Sequence, residues 1–388
     1  MPETAFRIPR STCQLFGTIK ALSTINNALI LVHGPKGCVY HINYILGMRG
    51  DCPREIFSTC LDEHDVIFGA EEKLTRAIVE LDSTFHPDLL FVLSCCASGI
   101  IGEDVNAAVS GARIGSRAIA LDSGGFEGDH AAGYRNTLAR IASALAEKTG
   151  TSLPRTINLV GVLRPGPDLK EIREILASSG IKINAVLTAG LKRNQLVRMG
   201  DVELNVVVCE ASGMSAAEVL LEKFGTPYIV TDLPVGSRST DRFLEKIRTA
   251  LALAPPEGNW GTEPNLPLPD PSLCIAIFSG PTRAIALSRF LSDLSCPPRL
   301  IVLDFQPPSL DQVKEAAGNE CLVLVEPDHQ RIHEALTGQK IDLILGGMLE
   351  RPLASRYGTR LIDVMHGSQR TVGYDGARIL ASLISEKD

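Results

Sequence analysis

Short aliphatic runs recur along this chain, separated by stretches whose apolar residues repeat with a helical period, and each run ends in a loop bearing Gly, Cys or Asp. Runs that are apolar at successive positions, yet too short for buried helices, are what parallel strands need when crossover helices cover both faces. That pattern confines the chain to the α/β class, built from doubly wound parallel sheets. In the first part, residues 28–33, 89–94 and 117–121 read as strands, and 71–81 and 133–148 as helices. After a break at 149–154, strands are expected at 157–163, 182–187, 204–209 and 228–231, with helices at 168–179 and 215–224. A third series places strands at 272–278, 299–303, 321–325 and 342–345 and a helix at 281–294. Residues 254–271 hold six prolines, a composition that neither a helix nor a central strand accommodates, and read as a linker. The expected organisation is three Rossmann-like domains, at 1–150, 151–253 and 272–388.

Composition removes several function classes. The formal net charge of −7 gives no basic field to attract nucleic acid or an anionic membrane surface. Aromatic residues are 5% of the chain, with one tryptophan, so a stacking platform for bases is not expected. Residues 1–10 carry charge and proline where a signal peptide needs an apolar core, and no apolar run approaches a membrane span, so a cytoplasmic location is expected. There is no GxGxxG after a strand, no GxxxxGK[ST] phosphate loop and no GxSxG elbow. Nucleotide chemistry is therefore expected on a partner.

Open α/β sheets bind ligands outside the carboxyl ends of their strands, and there this chain places cysteine. Cys38 follows the first run in HGPKGC, Cys95 and Cys96 follow the second in LSCCASGIIGED, and Cys209 ends VVVCEASG. Cys13 precedes them all. Thiolates from separate loops can share an iron–sulfur cluster without CxxC spacing, while buried cysteines are equally at home as small core residues. Spacing alone leaves both readings open. Glycines beside Cys38 and Cys96 favour close approach of the backbone to a bulky group or another chain.

HGPKGCVYH, the stretch LDEHDVIFGAEEKL and CASGIIGEDV together resemble the component-1 proteins of the nitrogenase superfamily. The resemblance implies three Rossmann-like domains in an assembly with a homologous second subunit, α2β2 or a homodimer, that receives electrons from an ATP-hydrolysing iron protein carrying a 4Fe-4S cluster. It implies that Cys13, Cys38 and Cys96 contribute thiolates to an interfacial relay cluster of 8Fe-7S or 4Fe-4S type, with Cys95 a packing neighbour. VVVCEASGMSAAEVLLEKFGTPY and IDVMHGSQRTVGYDGA resemble the segments that hold a large iron–sulfur catalytic cluster, which places Cys209 and His366 at its two ligand positions. Each residue alone reads as readily as structural. Arg283 in SGPTRAIA matches a cofactor-facing arginine at a helix start, and equally reads as a solvated one.

The departures bear on the reaction. GGFEGDHAAGYRN offers His130, Tyr134 and Arg135 where dinitrogen reducers carry a histidine, and the best register puts Tyr134 there. Dinitrogen reduction is therefore not expected. A nitrogenase-like methylthio-alkane reductase, which cleaves C–S bonds in small organic sulfur compounds, fits the resemblance, with Tyr134 and Arg283 shaping the site. Two alternatives remain: a reductive tetrapyrrole enzyme of the Ni-sirohydrochlorin a,c-diamide cyclase or protochlorophyllide reductase type, and a cofactor-assembly scaffold that holds a precursor cluster and passes it on. Cys52, Cys60, Cys274, Cys296 and Cys321 match no ligand position, and His33, His41 and His64 flank the first cysteine group, where a hydrogen bond to sulfur is one expectation and a surface role another.

Overall fold

The computed structural model describes residues 12–48, 56–161, 165–254 and 266–386. Cys52 and most of the proline-rich stretch, residues 255–265, lie outside them. Three all-parallel sheets follow one another along the chain. The first comprises β1 (Ala28–His33), β2 (Ile56–Ser58), β3 (Leu89–Ser94) and β4 (Arg117–Leu121) in the order β2-β1-β3-β4. The second comprises β5 (Leu153–Val160), β6 (Lys182–Leu187), β7 (Val202–Val207) and β8 (Tyr228–Val230) in the order β6-β5-β7-β8. The third comprises β9 (Ile275–Phe278), β10 (Leu300–Leu303), β11 (Leu322–Val325), β12 (Leu343–Gly346) and β13 (Arg360–Asp363) in the order β11-β10-β9-β12-β13. The α/β expectation holds, and the parallel pairing explains why β3, buried at every position, reads as an unbroken apolar run.

Each sheet reverses its strand order once, between β1 and β3, between β5 and β7, and between β9 and β12. The helices covering the two sides diverge at such a point and leave a crevice at the strands' carboxyl ends. The residues that follow these strands are Gly34 and Cys95, then Gly161 and Cys209 after Val208, then Gly280 after Ser279 and Gly347. Topology thus directs the chemistry-bearing loops of all three sheets into crevices.

The sheets do not pack as isolated bodies. One core cluster joins Ile30, Phe91 and Leu138 of the first part to Leu187, Val207 and Ala217 of the second. Another joins Leu159 and Phe243 to Phe290 and Leu345. The helix Gln14–Leu22 crosses the helix His130–Leu145 in backbone contact: a Cβ on Gly17 would lie 1.9 Å from the His130 carbonyl oxygen, and one on Gly133 would lie 2.1 Å from that of Gln14. Only glycine permits that approach. It sets Cys13, which caps the first helix, against the start of the second. No helix among the described residues is long and apolar enough to cross a membrane.

Candidate functional site

The first group of cysteines assembles at the β1/β3 crevice. Cys38 lies in the first turn of the helix Lys36–Met48, Cys95 precedes the helix Cys96–Ile100 and Cys96 opens it. The loop after β4 closes over them: Gly125 N–H donates to Cys96 Sγ at 3.0 Å, and a Cβ on Gly125 would stand 3.0 Å from both Cys13 Cβ and Cys96 Sγ. Cys13 is exposed, Cys38 and Cys96 are half-buried, and Cys95 is buried. The thiol of Cys38 hydrogen-bonds to the sulfur of Cys95, which raises the pKa of Cys38, with burial and the nearby sulfurs of Cys13 and Cys96 adding to the effect. The same bond lowers the pKa of Cys95, against burial and with help from the Ser98 backbone, the Ser98 hydroxyl and the Ala97 N–H. Cys95 is thus an electrostatic partner of Cys38 as well as a packing neighbour.

His33 supports this group without touching a sulfur. Its Nδ1 lies 3.0 Å from the Thr59 hydroxyl, which also accepts from Gly34 N–H at 3.1 Å, and its Nε2 lies 3.5 Å from Glu103. Burial holds its pKa below the usual histidine range, opposed by Glu103. His41 and His64 are exposed. Cys60 is exposed, and the buried Cys296 thiol donates to the Leu273 carbonyl at 3.5 Å and, at 3.8 Å, to that of Asp270. Among the described residues, no three His, Cys, Asp or Glu side chains are grouped so as to chelate a single metal ion.

A second constellation lines one cavity of about 340 Å³ where the three parts of the molecule meet. Cys209, His366, Tyr134 and Arg283 all lie in its wall. Cys209 precedes the helix Glu210–Phe224, and its Sγ is 3.2 Å from the Ser212 hydroxyl. His366 follows β13, its side chain is 2% exposed, and its backbone N–H donates to Asp363 Oδ1 at 2.6 Å. Its Nδ1 accepts from Met348 N–H at 3.4 Å, and a Cβ on Gly347 would lie 2.6 Å from that nitrogen. The Tyr134 hydroxyl is 2.7 Å from that of Thr188. Arg283 donates to the Thr371 hydroxyl at 2.9 Å and to Asp168 at 3.3 Å, so its charge is already countered where it meets the cavity.

Lys20, His130 and Asp168 also line the cavity. In the sequence His130 stands beside the preferred Tyr134, while Lys20 and Asp168 belong to no motif. For His130 a signal existed: four residues before Tyr134 in one helix, the two share a face. Lys20 had a weaker one, seven residues after Cys13 in the helix that Cys13 caps.

The sequence model described as "Nitrogenase component 1 type Oxidoreductase" matches residues 13–259 and 273–387. The nitrogenase iron-molybdenum cofactor biosynthesis protein NifE of Clostridium pasteurianum is 29% identical over 396 residues, covering 95% of this chain and 85% of that protein. A nitrogenase molybdenum-iron protein beta chain of Methanococcus maripaludis is 24% identical, covering 97% of this chain and 91% of that one. The solved structure described as "Nitrogenase Cp1 at pH 6.5" superposes with a TM-score of 0.84 at 21% identity, covering 99% of this chain and 93% of that one.

Proposed function

Because this chain belongs to the nitrogenase component 1 type oxidoreductase family, we propose that it is a cluster-handling subunit whose central cavity receives a large iron–sulfur cluster as cargo, in the manner of a cofactor-assembly scaffold. The observation that carries this reading is the convergence of Cys209 and His366 on one cavity from different sheets. A thiolate and an imidazole are a donor pair suited to iron. At about 340 Å³ the cavity falls within the size range of sites for small ligands, well beyond the needs of a single ion. The likeness of nearly the whole chain to a cofactor biosynthesis protein supports assembly over turnover.

In this reading Cys209 and His366 hold the cargo, and Tyr134 and Arg283 shape its surroundings. Arg283, tied to Asp168, contributes donor geometry more than net charge. Cys13, Cys38 and Cys96 hold a resident relay cluster shared with a homologous subunit, which supplies an electron path. The chain's residues fit that group: Cys13 and Cys96 meet beside Gly125, where a side chain would intrude, Gly125 N–H is already aimed at the Cys96 sulfur, and Cys38 lies close enough for both sulfurs to act on it. Around them Tyr40, Tyr44, Ile67, Phe68, Ile100 and Phe126 are exposed apolar side chains, a surface fitted to a partner subunit. An ATP-hydrolysing iron protein is the expected electron donor to the assembly.

The second reading, reductive C–S cleavage of a methylthio-alkane in the same cavity, is favoured by His130 and Tyr134, two proton-bearing side chains in the wall. One experiment separates them. The complex, purified anaerobically with its partner, is assayed for iron and sulfide, for transfer of cluster to a cofactor-free acceptor, and for methanethiol release from dimethyl sulfide with iron protein and ATP. The scaffold reading expects iron beyond the relay cluster, transfer to the acceptor and no turnover. Methanethiol release would establish the reductase instead. Iron limited to the relay cluster, with tight binding of a tetrapyrrole, would overturn both.

A further inference from the structure

The loop that bears His366 is fastened to a helix beside the sheet that bears Cys209. That helix, Pro167–Ser178, follows β5, and its acidic residues at 168, 171 and 174 recur every three positions along one face. Asp168 accepts Thr371 N–H at 2.6 Å through Oδ1, and takes the Thr371 hydroxyl at 2.8 Å and Arg283 at 3.3 Å through Oδ2. Arg370 pairs with Glu171, with Glu174 at 3.1 Å and with Asp375 at 2.9 Å. Glu171 is 6% exposed at its side chain and Arg370 23%, so this one pair is largely desolvated, while Glu174 and Asp375 complete it from the solvent side. Just beyond, Gly373 N–H donates to the Pro234 carbonyl at 2.7 Å. Cys209 takes its place from β5 and β7, through Val208 N–H to the Val160 carbonyl at 2.9 Å.

We propose that Asp168 and Glu171, acting through Thr371 and Arg370, are positioning residues that set the His366 imidazole at a fixed distance from Cys209, so that bound cargo meets its second ligand only while this anchor is closed. None of the four needs to touch the cargo. Three residues separate His366 from Arg370, so the anchor holds one side of a short loop whose other side is held by the His366 N–H bond to Asp363. The proposal rests on the cavity reading above, and its test has one arm that does not.

The variants are Asp168→Asn and Arg370→Ala, with Arg370→Lys as the conservative replacement. In cluster-free protein, hydrogen exchange over residues 363–373 is expected to accelerate about tenfold or more in Asp168→Asn and Arg370→Ala. Exchange in β7 and in the helix Glu210–Phe224 should stay unchanged. In cluster-loaded complex, pulsed EPR should show imidazole nitrogen coupling in wild type, its loss in these two variants with iron retained on Cys209, and partial recovery in Arg370→Lys. General unfolding would lose the iron together with the coupling. Unchanged exchange and unchanged coupling in both variants would overturn the proposal, as would equal acceleration throughout the second sheet. Absence of imidazole coupling in wild type would refute the cavity reading, while the exchange measurement still decides whether the anchor holds the loop. If Asp168→Asn fails to fold, Arg370→Ala decides alone.

Discussion

Replacing Gly133 by alanine perturbs both candidate sites through a single methyl group. A Cβ there would lie 2.1 Å from the Gln14 carbonyl oxygen, 2.8 Å from its carbonyl carbon and 3.0 Å from its Cα. Non-bonded carbons settle near 3.5 Å, so the overlap is roughly an ångström, and it falls on backbone that no rotamer change can move. The helix Gln14–Leu22 must shift away from the helix His130–Leu145. Overpacking of this kind costs about 3 kcal/mol, while alanine in place of glycine within a helix returns about 1 kcal/mol, leaving a net loss of about 2 kcal/mol. For a chain of 388 residues that corresponds to a fall in Tm of roughly 2–3 °C. The local effect is larger than the global one. Cys13 caps the displaced helix, so it should move from Cys96, while His130 and Tyr134 move in the cavity wall. Thermal unfolding followed by circular dichroism, with relay-cluster EPR after anaerobic reconstitution, measures both. Gly47→Ala in the helix Lys36–Met48, with no described atom within 4 Å of the new Cβ, is the control: it should leave the relay signal unchanged and, with the helical gain of about 1 kcal/mol unopposed, should not lower the Tm. A Gly133→Ala protein with the Tm of wild type and a full relay signal would refute the helix-contact argument.

Cys209→Ala and His366→Ala should each lose iron beyond the relay cluster while the relay EPR signal persists; full iron in both variants would remove the cavity from consideration. Gly347→Ala, whose Cβ would press within 2.6 Å of His366 Nδ1, should reproduce the His366→Ala iron loss with the histidine still present, as read by iron analysis. Cys96→Ala should abolish the relay signal and weaken the oligomer in analytical ultracentrifugation, whereas Cys95→Ala should retain the cluster, because Cys95 is buried while Cys13, Cys38 and Cys96 are exposed or half-buried. His33 supplies the pH test. Burial holds its folded pKa below 6.5, so as pH falls the unfolded chain takes up a proton that the native state resists, and stability drops. Its contribution is complete above pH 6.5 and is lost below it with a limiting slope of about 1.4 kcal/mol per pH unit. Denaturant midpoints of cluster-free protein between pH 7.5 and about 5.5 should show the decline, and His33→Gln should flatten it.

The strands visible in the sequence are those whose burial leaves no polar interruption. β1 and β3 fall where their aliphatic runs place them, since a parallel strand covered on both faces selects the same residue type at every position, while β7, expected at 204–209, starts and ends two residues earlier at Val202–Val207. Two short edge strands escaped. β2 (Ile56–Ser58) and β13 (Arg360–Asp363) have one neighbour each, are half-buried, and so carry no continuous apolar signature. The helix expected from residue 133 begins at His130, capped by Asp129, because Gly133 serves a helix crossing and marks no boundary.

The same division runs through the sites. By itself the sequence determined the α/β class, the placing of cysteines at strand ends and, through resemblance, the residues to watch, because these depend on local periodicity and on motifs read along the chain. Only tertiary structure decided which groups meet. It paired Arg283 with Asp168, set the Cys38 thiol against Cys95 instead of leaving the latter as mere packing, turned His33 toward Thr59 and not toward a sulfur, and brought Lys20 and His130 into the cavity of Cys209 and His366. The partner of a charged or polar side chain is chosen by how helices from distant parts of the chain pack across three crevices, and that packing is fixed by the strand order of the sheets, which no local period records.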